Sequence, residues 1–195
     1  PGTVLVSDIR PGASSSNPDQ LTSTGGFLYF RANDGGGAGL ELWRSNGNAA
    51  GTVLVRDILA GATGSGLTGL TAFGNSVVFA ANDGLGAGIE PWISDGTTSG
   101  TRIVADVRLG TTSSSPAQFV TASPSRFFFV ANDGTNGTEL FTSDGTSGGT
   151  ALLDIYPGST SSSPQDMIAA FGGVVFEANA PGLGREPWRS NGTTG

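Results

Sequence analysis

The sequence predicts an all-β fold, namely a β-propeller-like array of four blades with four short strands each. The first observation is an internal repeat: LELWRSNGNAAGTVLVRDI at residues 40–58 returns as IEPWISDGTTSGTRIVADV at residues 89–107, then at 139–155, and begins again at 185. The second is the period, because Gly-Thr pairs start 49 residues apart at Gly2, Gly51, Gly100 and Gly149. The third is that the 33 glycines cluster where turns fall. Repeats of this length cannot bury an apolar face alone and stack on one another.

Each repeat contains four candidate strands bounded by Gly, Pro, Asn, Asp or Ser. In the first repeat they lie at 3–8, 21–24, Phe27–Ala32 and 40–45. The third strand reads FLYFRA, SVVFAA, RFFFVA and GVVFEA in the four repeats, so we expect it to be covered on both faces. Two-residue glycine turns are predicted between the second and third strands. In the third repeat, Pro124 predicts a longer turn.

The longest link in each repeat is rich in Ser, Gly and Pro and runs from the first strand to the second. In a propeller, such a link passes from the outer edge of one blade to the inner edge of the next. The chain is therefore predicted to be a single repeat domain, 1–195. Its predicted blades are 21–57, 70–106, 119–154 and 168–190.

The last predicted blade has only three strands of its own. We expect residues 3–8 to complete it by pairing with residues 185–190, which would close a four-bladed ring within one chain. The alternative is that residues 3–8 pair with the last blade of a neighbouring chain and propagate a filament. Either pairing would cover strand edges, which soluble proteins seldom leave unpaired.

Charge and residue usage exclude several functional classes. The net charge is −7, and the nine basic residues, all Arg, are scattered. This argues against a nucleic-acid partner, which needs clustered cations. No apolar run approaches 18 residues, so membrane insertion is not expected. The chain has no Cys and no His, which removes thiolate nucleophiles, imidazole bases and nearly every transition-metal site.

The repeated segment combines Glu, an apolar residue and an aromatic residue with a following Asp-Gly-Thr and a strand ending in Asp-Ile or Asp-Val. The matching positions are Glu41, Leu42, Trp43, Glu90, Trp92, Glu139, Leu140, Glu186 and Trp188. Pro91 and Pro187 replace the Leu, and Phe141 replaces a Trp. This pattern resembles the ELWxxDGT repeats, found in tandem in large secreted or surface proteins and regarded as propeller-like. The resemblance covers the whole chain and implies an extracellular or cell-surface location, but it implies no activity.

Recurrent acids are the first candidates for chemistry. Asp8, Asp57, Asp106 and Asp154 end the first strand, and Glu41, Glu90, Glu139 and Glu186 open the fourth. Such residues could form acid–base pairs or an oxygen ring around a channel. A residue present in every blade more often serves the fold, and no two acids are uniquely paired. We therefore predict no catalytic residue and expect that the chain is not an enzyme.

The Asn-Asp-Gly loops carry Asp34, Asp83 and Asp133, whose oxygens are candidate calcium ligands. Asx turns explain the same residues without a metal. No other cofactor is predicted.

The aromatic positions Trp43, Trp92 and Trp188 are candidate shelves for sugar rings, although blade residues at regular spacing also pack between blades. Asn136 and Asn191 satisfy the N-glycosylation rule.

Two functions follow from these observations. The first is a non-catalytic extracellular structural and interaction module, a propeller-like segment of a larger surface, matrix or filament-forming protein. Its partners would be proteins or further copies joined through edge strands. The alternative is a carbohydrate-binding, lectin-like β-propeller that takes glycans as partners.

Overall fold

The computed structural model describes residues 2–193 and consists of four antiparallel sheets. The strands of the first two sheets are β1 Asp19–Thr24, β2 Phe27–Ala32, β3 Glu41–Ser45 and β4 Val53–Arg56, then β5 Thr68–Phe73, β6 Ser76–Ala81, β7 Glu90–Ser94 and β8 Arg102–Ile103. Those of the last two are β9 Ala117–Ser123, β10 Arg126–Asn132, β11 Thr138–Ser143 and β12 Ala151–Leu153, then β13 Gln165–Ala170, β14 Gly173–Ala180 and β15 Gly184–Ser190. The all-β prediction is confirmed, and the one helical element within residues 2–193 is a single 3₁₀ turn at Ala49–Gly51.

Each sheet is a meander in which strands adjacent in sequence are hydrogen-bonded. We call the four sheets the first to fourth blades. The inner strands of all four blades share one irregularity, which in β1 lies between Asp19 and Thr22. There, Gln20, Gln118 and Asp166 adopt left-handed φ angles of 52–53°. This recurrent bulge increases the local twist of the inner strand, which allows each blade to be rotated relative to the one before it.

The turn around Pro124 differs from the prediction of a longer loop. Ser123 pairs with Arg126, so the turn has two residues, like the others. The extra residue is absorbed inside the strand pair, where the register shifts between Arg126 and Phe127. A bulge therefore accommodates the insertion and leaves the hairpin short.

The core lies between blades. The front face of a blade is the side toward the preceding blade in the chain, and the rear face is the side toward the following one. Rear-face residues such as Tyr29 and Leu42 form one buried cluster with front-face residues such as Leu70 and Phe79. Equivalent clusters join the second blade to the third and the third to the fourth. Within residues 2–193, no hydrophobic cluster joins the first blade to the fourth.

The predicted pairing of residues 3–8 with residues 185–190 is wrong. Residues 3–8 adopt no strand, and β15 pairs with β14 in a three-stranded sheet. Val4 and Leu5 are 71% and 80% exposed. The reason is that the array is open: the fourth blade is not packed against the first, so no strand edge reaches this segment.

No helix within residues 2–193 has the length and apolarity needed to span a membrane.

Candidate interaction surface

The interface between consecutive blades is the recurring structural unit of this chain, and polar contacts fix its register. The Gln20 side chain donates to the Leu67 carbonyl at 3.0 Å and accepts from the Leu70 N–H at 3.2 Å. Thr22 donates from its hydroxyl to the Leu70 carbonyl at 3.0 Å. Gln118 donates in the same way to the Pro164 carbonyl, between the third and fourth blades. These bonds hold the inner strands of adjacent blades together without a backbone ladder.

Buried glutamates attach the long links to the blades. Glu90 is fully buried and accepts hydrogen bonds from the Val107 N–H at 2.9 Å and from the N–H and hydroxyl of Ser114. Glu139 accepts equivalent bonds from Ile155 and Ser162. Because each link leads into the next blade, one carboxylate in each case orders the crossing between two blades. This is a structural role for the recurrent glutamates.

Glu186 is the exception among the recurrent glutamates, because it is exposed. The link that its equivalents bind follows the outer strand of their own blade. The fourth blade has no such strand within residues 2–193. Glu186 therefore presents an uncommitted carboxylate at one end of the array.

Burial raises the pKa of Glu41, Glu90 and Glu139 above their usual 4.5, while their hydrogen bonds act in the opposite direction. Between pH 4.5 and the raised pKa, the folded state holds protons that the unfolded chain has released. The free energy of unfolding should therefore fall as the pH rises through this window. Hydrogen bonds from Thr97 and Thr146 lower the pKa of Asp95 and Asp144, so stability should also fall below about pH 3.8.

We expect the urea midpoint to be highest between these two ranges and to decline toward pH 7.5. Glu90→Gln, which cannot titrate, should flatten the decline. Urea titrations at half-unit pH steps measure both. A midpoint that rises steadily from pH 4.5 to 7.5 in the wild type would contradict the assignment.

The turn after the third strand of each blade forms a socket for the preceding blade. Gly96 has a φ of +86°, and a Cβ placed there would lie 2.5 Å from the Tyr29 hydroxyl oxygen and 3.1 Å from Arg44 Nη1. At Gly145 a Cβ would lie 2.9 Å from Ile93 Cδ1. The equivalent Gly47 has a φ of +91° but nothing within 4 Å. The socket of the first blade is therefore open.

This difference supplies a matched test of the socket. Gly96→Ala should lose stability through left-handed strain of roughly 1–2 kcal/mol plus the clash with Tyr29. Gly47→Ala should lose only the strain. Adding Tyr29→Phe to Gly96→Ala should recover part of the loss, measured by denaturant unfolding of the wild type and the three variants. Equal losses for the two glycine variants would show that the socket is not tightly packed.

The front face of the first blade is an exposed apolar groove. It has a volume of about 180 Å³, and its lining residues are Val6, Ser7, Ile9, Pro18, Leu21, Leu28, Phe30, Ser45, Gly47 and Thr52. Leu21 is 62% exposed, whereas the equivalent Leu70 and Phe119 are 9% and 7% exposed beneath a preceding blade. This face has the chemistry of a blade interface but has no blade over it.

The rear face of the fourth blade forms the other end of the array. Ile168 is 63% exposed, and Phe171, at the tip of the inner hairpin, is 86% exposed. Beside the free edge of β15 lies a second groove, of about 380 Å³, lined in part by Leu152, Phe176 and Trp188. Over residues 2–193 the array therefore presents two different, uncovered blade faces.

The three tryptophans named from the sequence lie in different clusters. Trp92 is 2% exposed between the first and second blades, and Trp43 is 8% exposed on the front of the first blade. Trp188 is half-buried and donates from its indole N–H to the Ala178 carbonyl at 3.1 Å. No two of them share a surface, so they do not form a common shelf.

The calcium candidates are engaged in turns. Asp34 Oδ1 accepts from the Gly36 N–H, and Asp83 Oδ1 accepts from the Leu85 N–H. Asp133 accepts from the backbone of Thr135 and Asn136 and from the Asn136 side chain. Within residues 2–193, no three His, Cys, Asp or Glu side chains are grouped as metal ligands.

The two candidate glycosylation sites differ in environment. Asn136 is half-buried, and its side-chain NH₂ donates to Asp133 Oδ2 at 2.7 Å. Asn191 is exposed and accepts from the Thr193 N–H and hydroxyl. Asn191 is the more accessible of the two side chains.

Sequence reasoning missed the glycine sockets and the outer-strand arginines. Arg56 donates to the Thr101 carbonyl and lies 5.7 Å from the centre of the Trp92 ring, and Arg102 donates to the Gly145 carbonyl. A glycine stands at the same turn position in every repeat, and this was the available signal for the sockets. An ordinary turn that needs a positive φ explains the same glycine.

No protein-family model and no curated protein sequence matches the chain. Among solved structures, a puromycin hydrolase mutant complexed with PGG matches with a TM-score of 0.55 and 13% identity, over 87% of this chain and 26% of that protein. The GH43B protein of the Bacteroides ovatus xyloglucan PUL matches with a TM-score of 0.44 and 15% identity, over 93% and 40%. A prolyl endopeptidase matches with a TM-score of 0.30 and 9% identity, over 93% and 42%. The chain spans about a quarter of the length of the first of these proteins.

The sequence-based expectation that the chain is not an enzyme is contradicted by this comparison, because the structure that matches with a TM-score of 0.55 is a puromycin hydrolase. An array of this size can be one segment of a hydrolase, so residue types missing from it exclude nothing for a whole protein. At 13% identity the likeness shows the fold alone. The chain is similar to part of a hydrolase in its arrangement of β-sheets, and no reaction follows from that.

Proposed function

We propose that the chain is a structural and interaction module of a larger extracellular assembly, in which blades associate through their faces. The supporting observation is the uncovered front face of the first blade. Leu21 there is 62% exposed, while the same position in the next two blades is buried. The equivalent grooves on the second and third blades are filled by the preceding blade. An apolar groove of the same kind on the first blade therefore favours a protein partner.

The extracellular location is supported by the resemblance of the Glu-Leu-Trp and Asp-Gly-Thr segments to repeats of secreted and surface proteins. The partner is best sought among proteins rather than nucleic acids, because the net charge is −7. The buried state of Trp43 and Trp92 leaves little ring surface for stacking on sugars. The lectin function is therefore the less supported proposal.

The solution mass of the chain tests the proposal. Light scattering coupled to size exclusion, over a wide concentration range, should give masses above one chain. Leu21→Asn should lower the mass at equal concentration, since it places an amide in the groove. Leu85→Asn is the matched control, because Leu85 is 85% exposed in a loop between β6 and β7. A monomer at every concentration, unchanged by Leu21→Asn, would count against a self-associating module.

A further inference from the structure

We infer that the front face of the first blade binds the rear face of the fourth blade of a second copy, and that residues 3–6 of the first copy add a strand to β15 of the second. This inference rests on the proposed function and specifies its partner and geometry. The two halves of one inter-blade interface are present and unfilled at opposite ends of the described array.

The first half is the position of the N-terminal segment. Val55 and Ile58, from the outer strand and link of the first blade, pack in one cluster with Leu70 and Phe79 of the second. One repeat earlier, Ile9 packs against Phe30, and Val6 lines the same groove. Residues 6–9 thus already lie against the first blade where the outer strand and link of a preceding blade belong.

The following link is docked in the same way. The Asn33 N–H donates to the Ser16 carbonyl at 2.9 Å, and Asn82, Asn132 and Asn179 donate equivalently to Ser65, Ser114 and Ser162 at 2.8–2.9 Å. What Ser16 lacks is the glutamate of the preceding blade, which at Ser114 is Glu90 and at Ser162 is Glu139. No side chain within residues 2–193 accepts a hydrogen bond from the Ser16 N–H.

The second half is the fourth blade, whose Glu186 is exposed and stands where Glu90 and Glu139 stand in their blades. Docking two copies end to end would bring the Glu186 carboxylate to Ser16 and Ile9 of the next chain. Arg189 would face the open Gly47 socket, as Arg44 faces Gly96 inside the chain.

Repeat registers define the added strand. Val53 pairs with Arg44 and Leu54 with Trp43 in the first blade, and Ala151 pairs with Thr142 in the third. By the same alignment, Val4 of one copy pairs with Arg189 of the other, and Leu5 pairs with Trp188. Leu5 would then enter the groove between Leu152 and Trp188. This interface is head-to-tail, so it leaves both ends free to add further copies.

Cysteine cross-linking tests the register directly, because the chain has no cysteine. Val4→Cys and Arg189→Cys are made as separate proteins, mixed and oxidised. Directly opposed residues in antiparallel strands lie close enough for a disulfide. A cross-linked dimer is expected from this mixture, and none from Val4→Cys mixed with Leu85→Cys. Absence of the dimer from the matched mixture, in a sample whose mass exceeds one chain, overturns this interface while leaving the proposed function standing.

The double variant carrying both cysteines separates the two closure routes. Cross-linked oligomers support the inference. A cross-linked monomer at all concentrations would mean that residues 3–6 reach β15 of the same chain, and would overturn it.

Glu186→Ala provides an independent measurement. Loss of its predicted bonds to Ser16 should weaken the association constant about tenfold. The unfolding midpoint of the dilute, unassociated chain should not change, because Glu186 is exposed there. An unchanged association constant would overturn the predicted contact.

Discussion

Trp92→Ala should lower the free energy of unfolding by about 3–5 kcal/mol, the range for removing a buried tryptophan from a core. Trp92 is 2% exposed and packs among residues from both the first and the second blade. The guanidinium of Arg56 lies over its ring, with its carbon 5.7 Å from the ring centre. Alanine would remove the contacts that join two blades and leave a cavity between them.

The third blade supplies the control for this substitution. Phe141 occupies the same position there and is 5% exposed. Trp92→Phe should therefore cost less than half as much as Trp92→Ala. It also removes the indole N–H, which is buried without a partner within the described chain. Urea unfolding followed by circular dichroism measures all three proteins.

A small loss for Trp92→Ala would mean that the interface between the first two blades collapses around the cavity or contributes little. A full loss has a consequence for glycan binding as well. Any carbohydrate bound by the wild type but not by this variant could not be assigned to stacking on Trp92, because the variant would also be destabilised.

The four-blade pattern could be predicted because it depends on local features repeated in register. The strand β2 alternates residues for its two faces, and the period of 49 residues recurs three times. Closure of the ring could not be predicted in this way. It depends on the small rotation between blades, summed over the array, and no residue pattern records that sum.

Burial at equivalent positions shows the same limit. Leu21 and Leu70 occupy identical places in their repeats, but one is 62% and the other 9% exposed. Their difference comes only from what covers them. The glycine sockets were missed for a related reason: Gly96 and Gly47 have similar φ angles, and only the neighbouring blade distinguishes them.

The role of the recurrent glutamates was only partly predictable. Their recurrence favoured a structural function, but a fully buried carboxylate is unusual without a cation nearby. The structure explains it by backbone N–H donors from a link sixteen to twenty-four residues away. Glycine-rich links have few side chains to pack, so a carboxylate that accepts several backbone bonds is an effective way to order them.

Glu90→Ala should therefore be among the most damaging substitutions in the chain. It would leave the N–H groups of Val107 and Ser114 and the Ser114 hydroxyl without their acceptor in a buried place. Each orphaned group costs about 1–3 kcal/mol, so three of them predict a total loss of at least about 3 kcal/mol. Glu139→Ala should behave similarly, because Glu139 makes the same set of bonds.

The other two glutamates provide graded controls. Glu41 accepts one well-aligned hydrogen bond, from the Leu59 N–H at 3.2 Å, and Ser65, in the place of Ser114, approaches the carboxylate without aligned geometry. Glu41→Ala should therefore cost less than Glu90→Ala. Glu186→Ala, at an exposed position, should change the unfolding free energy of the dilute chain by no more than about 0.5 kcal/mol.

Unfolding in urea, with hydrogen exchange at Val107 and Ser114, distinguishes the possible causes of the loss. If the carboxylate orders the link, the exchange of these two amides should accelerate in Glu90→Ala under conditions where the strands of the second blade remain protected. Equal losses of unfolding free energy for the alanine variants of all four glutamates would contradict this explanation, because Glu186 has no link to hold. The buried carboxylate acts by presenting acceptors to a segment that cannot otherwise satisfy its own backbone, and the stability of each blade crossing should follow the number of bonds its glutamate accepts.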